Sequence, residues 1–81
     1  MKKFYTVLTS SMCGPCYLLK NRLKDEKLEV DTLDMTEPEN LDFFRKHGIK
    51  SVPRLVIEDG DTVEIVQGIE DIVNKLKERE V

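Results

Sequence analysis

The sequence contains few of the residues from which metal, nucleic-acid and membrane sites are built. Its 81 residues include two cysteines, one histidine and no tryptophan. A zinc site needs four ligands, so the two cysteines with His47, itself expected to be a solvated helix cap, would leave the shell incomplete. Zinc or an iron–sulfur cluster shared between two copies of the chain stays open. The net charge of −3 argues against nucleic acid, which requires a clustered basic face.

The sequence also lacks any apolar run close to the roughly 20 residues of a membrane-spanning helix. The apolar stretch at 4–8 follows two lysines, but it is too short for a signal peptide and is interrupted by hydroxyl residues. Met12 is not the small residue that a lipoprotein cleavage site would place before Cys13. We therefore expect a complete chain in the cytoplasm, where paired cysteines are more often catalytic or metal-binding than structural.

A chain of 81 residues should form a single domain over 1–81, with a thin core, because a domain of this size buries only about 60% of its unfolded surface. Apolar periodicity predicts seven elements in the order β-α-β-α-β-β-α. Strands are expected over residues 3–8, 29–33, 53–58 and 62–66. Helices are expected from residue 13 to about 26, from the capping-box pattern at 36–39 to Gly48, and after Gly68.

The connections between these elements predict how the strands pair. The strand–helix–strand unit at the start predicts a parallel, right-handed crossover. The Asp59-Gly60 dipeptide predicts a two-residue hairpin with antiparallel strands, and the apolar run at 55–57 places the third strand at the sheet centre. The expected fold class is α/β, a four-stranded mixed sheet flanked by three helices on its two faces. The expected core side chains of the helices include Leu41, Phe44, Ile72 and Leu76.

Cys13 and Cys16 are the only cysteines, and they lie three apart between the first strand and the first helix, with Gly14 and Pro15 between them. Side chains at i and i+3 of a helix share a face, close enough for two sulfur atoms to bond. A dithiol that opens a helix after a strand indicates a redox site. A purely structural disulfide is disfavoured, because the loop is too short to constrain the unfolded state much. Tyr17 is expected to pack or to lie on the surface.

Four features together resemble the thioredoxin fold in its smallest form, that of glutaredoxins and of the glutaredoxin-like redoxins that serve ribonucleotide reductase. They are Cys13-Gly14-Pro15-Cys16, Ser51-Val52-Pro53, the turn at Gly60, and Gly68 before the last helix. The resemblance covers nearly the whole chain. It implies a monomeric thiol–disulfide oxidoreductase that carries electrons to protein disulfides, with ribonucleotide reductase as a candidate partner and no bound cofactor.

The resemblance is divided between two subfamilies. Cys-Gly-Pro-Cys is the thioredoxin motif, although thioredoxins place a tryptophan at the position of Met12 and a buried aspartate at that of Val7. Conversely, the sequence Ser-Val-Pro-Arg at 51–54 is close to the Thr-Val-Pro of glutaredoxins. The stretch from Gly68 to Asp71 is similar to their Gly-Gly-x-Asp, which binds the γ-glutamyl end of glutathione, but lacks its second glycine. The electron source therefore stays open between thioredoxin reductase with NADPH and glutathione.

The motif also assigns roles to individual residues. Cys13 is the expected nucleophile, because the unpaired N–H groups and the dipole at a helix N-terminus favour a thiolate. Cys16, one turn further in, should be less exposed and act as the resolving thiol. By resemblance, Pro53 is cis, faces the dithiol and aims the backbone of Val52 at the substrate. The residues expected to bind substrate are Met12, Gly14, Pro15, Val52, Pro53, Arg54, Gly68 and Asp71.

Overall fold

Four strands form one mixed sheet in the computed structural model, which describes residues 3–79. The strands are β1 (Lys3–Thr9), β2 (Asp31–Asp34), β3 (Arg54–Asp59) and β4 (Thr62–Gln67), in the spatial order β2-β1-β3-β4. β1 and β2 run parallel, whereas β1 with β3 and β3 with β4 are antiparallel. The predicted mixed sheet, with β3 inside it, is confirmed.

Three helices cover the two faces of the sheet. They are α1 (Gly14–Asp25), α2 (Leu41–Lys46) and α3 (Ile69–Arg79), and a short 3₁₀ turn (Pro38–Asn40) precedes α2. α1 and α3 pack on one face, while α2 packs on the other. The predicted order β-α-β-α-β-β-α is therefore confirmed. No helix between residues 3 and 79 combines the length and the apolar character needed to cross a bilayer.

The core consists of two clusters, one on each face of the sheet. The larger cluster lies under α1 and α3, and its buried members are Val7, Leu19, Leu23, Leu55, Ile57, Val66, Ile72, Val73 and Leu76. The smaller cluster lies under α2 and contains Leu8, Phe44 and Val56. Leu41 was expected in the core, but it is only half-buried, because it is the first residue of a six-residue helix and lies at the end of the contact.

The second strand begins later than the sequence predicts. Its pairing with β1 starts at Thr6 opposite Asp31 and ends at Thr9 opposite Asp34, so the strand expected over 29–33 is shifted toward the C-terminus. Val30 lies before the strand, yet it still packs against the larger cluster. The apolar pattern predicts which residues are buried, not which residues pair with a neighbouring strand. At the start of β2 these two sets of residues differ.

The predicted capping box before the second helix is wrong. Neither Glu37, at the start of the 3₁₀ turn, nor Asn40, before α2, makes a side-chain cap. Thr36 instead donates its hydroxyl to Oδ1 of Asp34 at 2.6 Å. The carboxylate two residues earlier is a charged acceptor, and hydrogen bonds to charged groups are the stronger ones. The hydroxyl is therefore taken up by Asp34 rather than by the helix.

The hairpin turn lies one residue later than predicted. Asp59 pairs with Thr62 across the ladder, so the two loop residues are Gly60 and Asp61 rather than Asp59 and Gly60. Gly60 adopts φ +61°, a conformation that favours glycine. Gly48, at φ +66°, follows α2 as expected.

His47 is the C-terminal cap residue of α2, as the sequence suggests, but its side chain is not solvated. Its side chain is only 5% exposed, and Nε2 lies 4.0 Å from Oε2 of Glu58 on β3. The edge of the ring also contacts Phe43, with 4.6 Å between ring centroids. The end of α2 rests on the sheet, which turns the imidazole inward. Nε2 is buried without a hydrogen-bond partner among residues 3–79.

Candidate active site

The dithiol lies at the N-terminus of α1, where Cys13 caps the helix. Cys13 has an extended backbone conformation, and its Sγ accepts a hydrogen bond from the N–H of Cys16 at 3.2 Å. Its carbonyl accepts from the N–H of Tyr17 at 3.3 Å, which closes the first turn. Pro15 fits this turn, because the first helical residues need no N–H for the helix ladder. Both cysteines are free thiols.

The two thiols have different surroundings. Cys13 is half-exposed, whereas Cys16 is 1% exposed. Burial raises the pKa of the Cys16 thiol to about 11, and its hydrogen bond with Cys13 acts in the same direction. The backbone of Ser10 and the charge of Lys20 oppose this shift only in part. The site therefore joins an accessible sulfur to a buried one that holds its proton.

The turn that leads into β3 faces the dithiol. The Val52–Pro53 peptide bond is cis, and Pro53 is buried. The carbonyl oxygen of Val52 accepts a hydrogen bond from Sγ of Cys13 at 3.7 Å. The backbone of this turn therefore lies beside the accessible sulfur, where it could pair with an extended substrate.

Arg54 turns back onto its own loop. Its Nη1 donates to the carbonyl of Pro53 at 2.8 Å, and its Nη2 donates to Oγ of Ser51 at 2.6 Å. The guanidinium therefore braces the turn that faces Cys13. In this arrangement two of its donors are already engaged within the chain.

Gly68 and Asp71 lie beyond the end of β4. Gly68 adopts φ +92°, and Oδ2 of Asp71 would lie 3.9 Å from a Cβ at this glycine. Asp71 is exposed, and its carboxylate makes no hydrogen bond or ion pair within residues 3–79. It lines a groove between α3 and the edge strand β4, together with residues such as Glu64 and Lys75. None of the groove's lining residues belongs to the dithiol or to the Val52–Pro53 turn.

Exposed apolar side chains lie close to Cys13 along the chain, just before α1 and in its first turns. Met12 is 87% exposed, Tyr17 66% and Leu18 56%, and we call these three residues the apolar collar. Gly14 and Pro15 are also exposed. The sequence motifs indicate Met12 as a site residue but not Tyr17 or Leu18. A signal for these two was available, because both are apolar but lie off the Cys16, Leu19 and Leu23 stripe that faces the core.

Carboxylates and metal ligands do not gather at the dithiol. Within residues 3–79, no three His, Cys, Asp or Glu side chains come close enough to hold a metal ion. Val7 is fully buried in the larger cluster. The position at which the thioredoxin resemblance would place a buried aspartate therefore carries an apolar side chain.

The chain matches neither a protein-family model nor a curated protein sequence. Solved structures do match it. Thioredoxin f from spinach chloroplast (short form) is 24% identical, with a TM-score of 0.70 over 99% of this chain and 78% of that chain. The oxidised thioredoxin from Plasmodium falciparum is 14% identical, with a TM-score of 0.72 over 98% and 82%. Fasciola hepatica thioredoxin is 17% identical, with a TM-score of 0.71 over 96% and 77%.

These similarities define the class of the fold. The four-stranded mixed sheet with three helices is a minimal thioredoxin fold, as the sequence motifs predict. The named neighbours are thioredoxins, so the likeness to glutaredoxins rests on the sequence motifs alone.

Proposed function

We propose that the protein is a thiol–disulfide oxidoreductase that reduces protein disulfides through Cys13 and Cys16. The observation that carries this proposal is the difference between the two sulfurs. Cys13 is accessible and accepts an N–H at the start of α1, while Cys16 is 1% exposed and one turn behind it. The single domain over 1–81 would act as a monomer in the cytoplasm, where a dithiol is kept reduced.

In the first step, the thiolate of Cys13 attacks one sulfur of a substrate disulfide. A bond forms between Cys13 and the substrate, and the other substrate sulfur leaves as a thiolate that takes up a proton. The N–H of Cys16 and the N-terminus of α1 favour negative charge on the attacking sulfur.

In the second step, Cys16 loses its proton and attacks the sulfur of Cys13. The mixed disulfide breaks, and the second substrate sulfur leaves as a thiolate. The substrate has then gained two electrons and two protons, and Cys13 and Cys16 are joined by a disulfide. The i, i+3 spacing allows this bond with little movement of the backbone.

Substrate would bind over the exposed sulfur. Its backbone would replace the thiol as the hydrogen-bond partner of the Val52 carbonyl, while Pro53 offers no N–H there. The apolar collar, with Gly14 and Pro15, would contact apolar groups beside the substrate disulfide. Arg54 would act by bracing the turn.

An upstream donor must reduce the Cys13–Cys16 disulfide after each turnover. We assign this step to thioredoxin reductase with NADPH, because the Cys-Gly-Pro-Cys motif resembles that of thioredoxins. Ribonucleotide reductase is a candidate electron acceptor by resemblance to the small redoxins. No bound cofactor is needed, since both electrons reside in the two thiols.

The test of the reaction is trapping of the mixed disulfide. Cys16→Ser lacks the resolving sulfur and should accumulate a covalent complex with a disulfide-containing protein such as ribonucleotide reductase. Cys13→Ser lacks the nucleophile and should form none. Gel electrophoresis with and without reductant separates these results. Equal trapping by both variants, or trapping by Cys13→Ser alone, would overturn the assignment.

A second candidate function is that of a glutathione-dependent glutaredoxin. The observation in its favour is Asp71, an exposed carboxylate without a partner among residues 3–79 in the first turn of α3. It could receive the γ-glutamyl amine of glutathione.

The electron donor distinguishes the two functions. NADPH consumption would be followed with thioredoxin reductase and, separately, with glutathione and its reductase. Reduction by glutathione alone, slowed in Asp71→Asn, would establish the glutaredoxin function. Reduction by thioredoxin reductase alone would exclude it and leave Asp71 without a role in binding.

A further inference from the structure

A polar cluster ties the loop before Cys13 to the turn after β2. Oδ1 of Asp34 accepts hydrogen bonds from the N–H and the hydroxyl of Thr36, at 2.8 and 2.6 Å. The hydroxyl of Thr36 is also 3.3 Å from that of Ser11. Because Thr36 gives its only hydroxyl proton to Asp34, Ser11 must be the donor in this second bond. We call Ser11, Asp34 and Thr36 the loop anchor.

The carboxylate at the centre of the anchor is held in its charged form. The hydroxyl of Thr36, and then its backbone N–H, lower the pKa of Asp34, and the backbone N–H of Ser11 and the charge of Lys20 act in the same direction. At neutral pH the carboxylate is therefore charged, and it accepts both hydrogen bonds from Thr36. Its own backbone carbonyl also accepts from Nδ2 of Asn40 at 3.0 Å, which fixes the turn itself.

The anchor reaches Cys13 through consecutive backbone amides. The side chain of Ser11 is held from outside the loop by the hydroxyl of Thr36, at 3.3 Å. The N–H of Met12 donates to Oγ of Ser10 at 3.1 Å, and the N–H of Cys13 donates to the carbonyl of Ser10 at 3.2 Å. The two amides that follow Ser11 are thus fixed within the loop, and Thr36 ties the loop to the turn after β2.

We propose that Ser11, Asp34 and Thr36 are positioning residues. They hold the loop so that Sγ of Cys13 keeps its hydrogen bond from the N–H of Cys16. This role rests on the proposed function and adds residues to its site. A negative charge near a thiolate disfavours that thiolate. An effect of the Asp34 charge would therefore oppose that of its hydrogen bonds, so a variant that changes only the charge can separate the two.

The test measures the alkylation rate of Cys13 by iodoacetamide against pH, in a Cys16→Ser background. Thr36→Val and Ser11→Ala each remove the hydroxyl bridge while Asp34 keeps its charge. Each should slow alkylation at neutral pH by about threefold to tenfold, the effect of one hydrogen bond, and move the pH profile to higher pH. Unchanged rates and profiles in both variants would overturn the proposal.

Asp34→Asn separates the hydrogen bonds from the charge. Asparagine keeps the acceptor oxygen, but hydrogen bonds to a neutral group are about half as strong. The anchor predicts slower alkylation of Cys13 in this variant. Faster alkylation would mean that Asp34 acts through its charge, and would contradict the proposal.

Matched controls come from the same strand. Asp31 and Thr32 on β2 are exposed, and their side chains make no hydrogen bond within residues 3–79. Asp31→Asn and Thr32→Val should leave the rate and profile unchanged. Thr36→Ser retains the hydroxyl and should restore the rate that Thr36→Val loses, and failure of this rescue would contradict the hydrogen-bonding role.

Two further measurements separate the effect of the anchor from a loss of stability and from the proposed function. Urea unfolding of each variant shows whether the protein is folded under the assay conditions, since lower stability alone does not shift a pH profile of a folded protein. Alkylation also requires neither a substrate nor an electron donor. Failure of the trapping experiment would therefore count against the proposed function, whereas an unchanged alkylation profile would count against the anchor.

Discussion

At the scale of single residues, the environments of Cys13 and Cys16 make two identical side chains different. Cys13 gains an N–H donor and the helix N-terminus, and Cys16 gains burial. Burial disfavours a charged sulfur, so the pKa of Cys16 is raised to about 11. We therefore expect the deprotonation of Cys16, the proposed resolving thiol, to limit the proposed reaction.

The pH dependence of turnover tests this limit. Since Val7 is apolar and fully buried, no carboxylate there can take the proton of Cys16. Below its pKa, the thiolate fraction of a group rises tenfold per pH unit. We expect disulfide reduction at saturating donor to accelerate from pH 6 to pH 9. A flat rate over this range would contradict the assignment of Cys16 as the slow proton donor.

The same raised pKa predicts a loss of stability in base. The folded protein holds the Cys16 proton more tightly than the unfolded chain, because the pKa rises from 9.0 to about 11. This contribution is fully present below pH 9 and is lost as the pH rises toward 11, by about 2 to 3 kcal/mol in total. The free energy of unfolding of the reduced protein, measured with urea, should therefore fall more steeply with rising pH than that of Cys16→Ala. Equal slopes for the two proteins would contradict it.

Sequence reasoning singled out the dithiol and the Val-Pro turn that lies beside it, but not all of their neighbours. The cysteine spacing and the Val-Pro dipeptide carry their own signals, and the structure brings Cys13 to the Val52 carbonyl. The surroundings of Arg54 and His47 depended on how the chain folds around them. Arg54 turns back toward Ser51 in its own loop, and His47 is covered because the end of α2 meets β3. Neither direction can be inferred from spacing along the chain.

At the scale of elements, ion pairs connect α1, which carries the dithiol, to α3. The two terminal nitrogens of the Arg22 guanidinium, Nη1 and Nη2, donate to the carboxylate of Glu70, and Lys77 forms an ion pair with Glu26. Arg22 lowers the pKa of Glu70, and Lys77 is the main cause of the lowered pKa of Glu26. These exposed pairs supplement the apolar contacts beneath them rather than replace them.

Acid should remove the contribution of these ion pairs to the stability of the folded protein. Since the folded pKa of Glu70 is lower than its ordinary value of 4.5, its contribution is present above that value and is lost as the pH falls through the folded pKa. Glu70→Gln should lower the melting temperature by a few degrees or less at neutral pH and low salt, and by nothing in acid. Circular dichroism on heating measures this difference.

The control for Glu70→Gln is another exposed glutamate. Glu39 makes no ion pair among the described residues, so Glu39→Gln should not change the melting temperature. An equal effect of both substitutions, or an effect of Glu70→Gln that persists in high salt, would show that the helix–helix pair does not act electrostatically.

The element order followed from the sequence because each element carries its own period. Leu19 and Leu23 with Cys16, and Ile72, Val73 and Leu76 in α3, repeat at helical spacing and are buried. The ends of the elements were less predictable where two groups compete for the same hydrogen-bond donor. Asp34 ends β2 and also takes the Thr36 hydroxyl that the capping pattern had assigned to a helix. Such competition depends on which acceptor the fold brings nearest.

At the scale of the whole molecule, the large apolar side chains that are exposed among residues 3–79 form two groups. One is the apolar collar, close to Cys13 along the chain. The other, which we call the sheet patch, consists of Phe4, Val63 and Ile65 on the face that α2 covers only in part. Strand pairing places Phe4 and Val63 on either side of Glu58, four residues beyond the Arg54 end of β3. The collar residues are near neighbours of Cys13 along the chain, whereas the sheet patch lies on β1 and β4.

A matched pair of aromatic residues tests whether position or exposed apolar area governs substrate binding. Tyr17 in the collar is 66% exposed, and Phe4 in the sheet patch is 63% exposed. Tyr17→Ser should raise KM for a protein disulfide by about fivefold to tenfold, because an aromatic side chain that contacts the substrate is lost. It should not change the rate with a small-molecule disulfide, which is too small to reach beyond Cys13. Phe4→Ser should change neither constant.

Each result has a distinct physical meaning. A rise in KM for Tyr17→Ser alone means that substrate contacts α1 beside the dithiol, so that binding energy is gained where the sulfurs must meet. A rise of equal size for Phe4→Ser would mean that substrate covers the distant face as well, and the collar would no longer define the docking surface. Slower reduction of the small disulfide by Tyr17→Ser would place Tyr17 in the chemistry of Cys13 instead of in substrate binding.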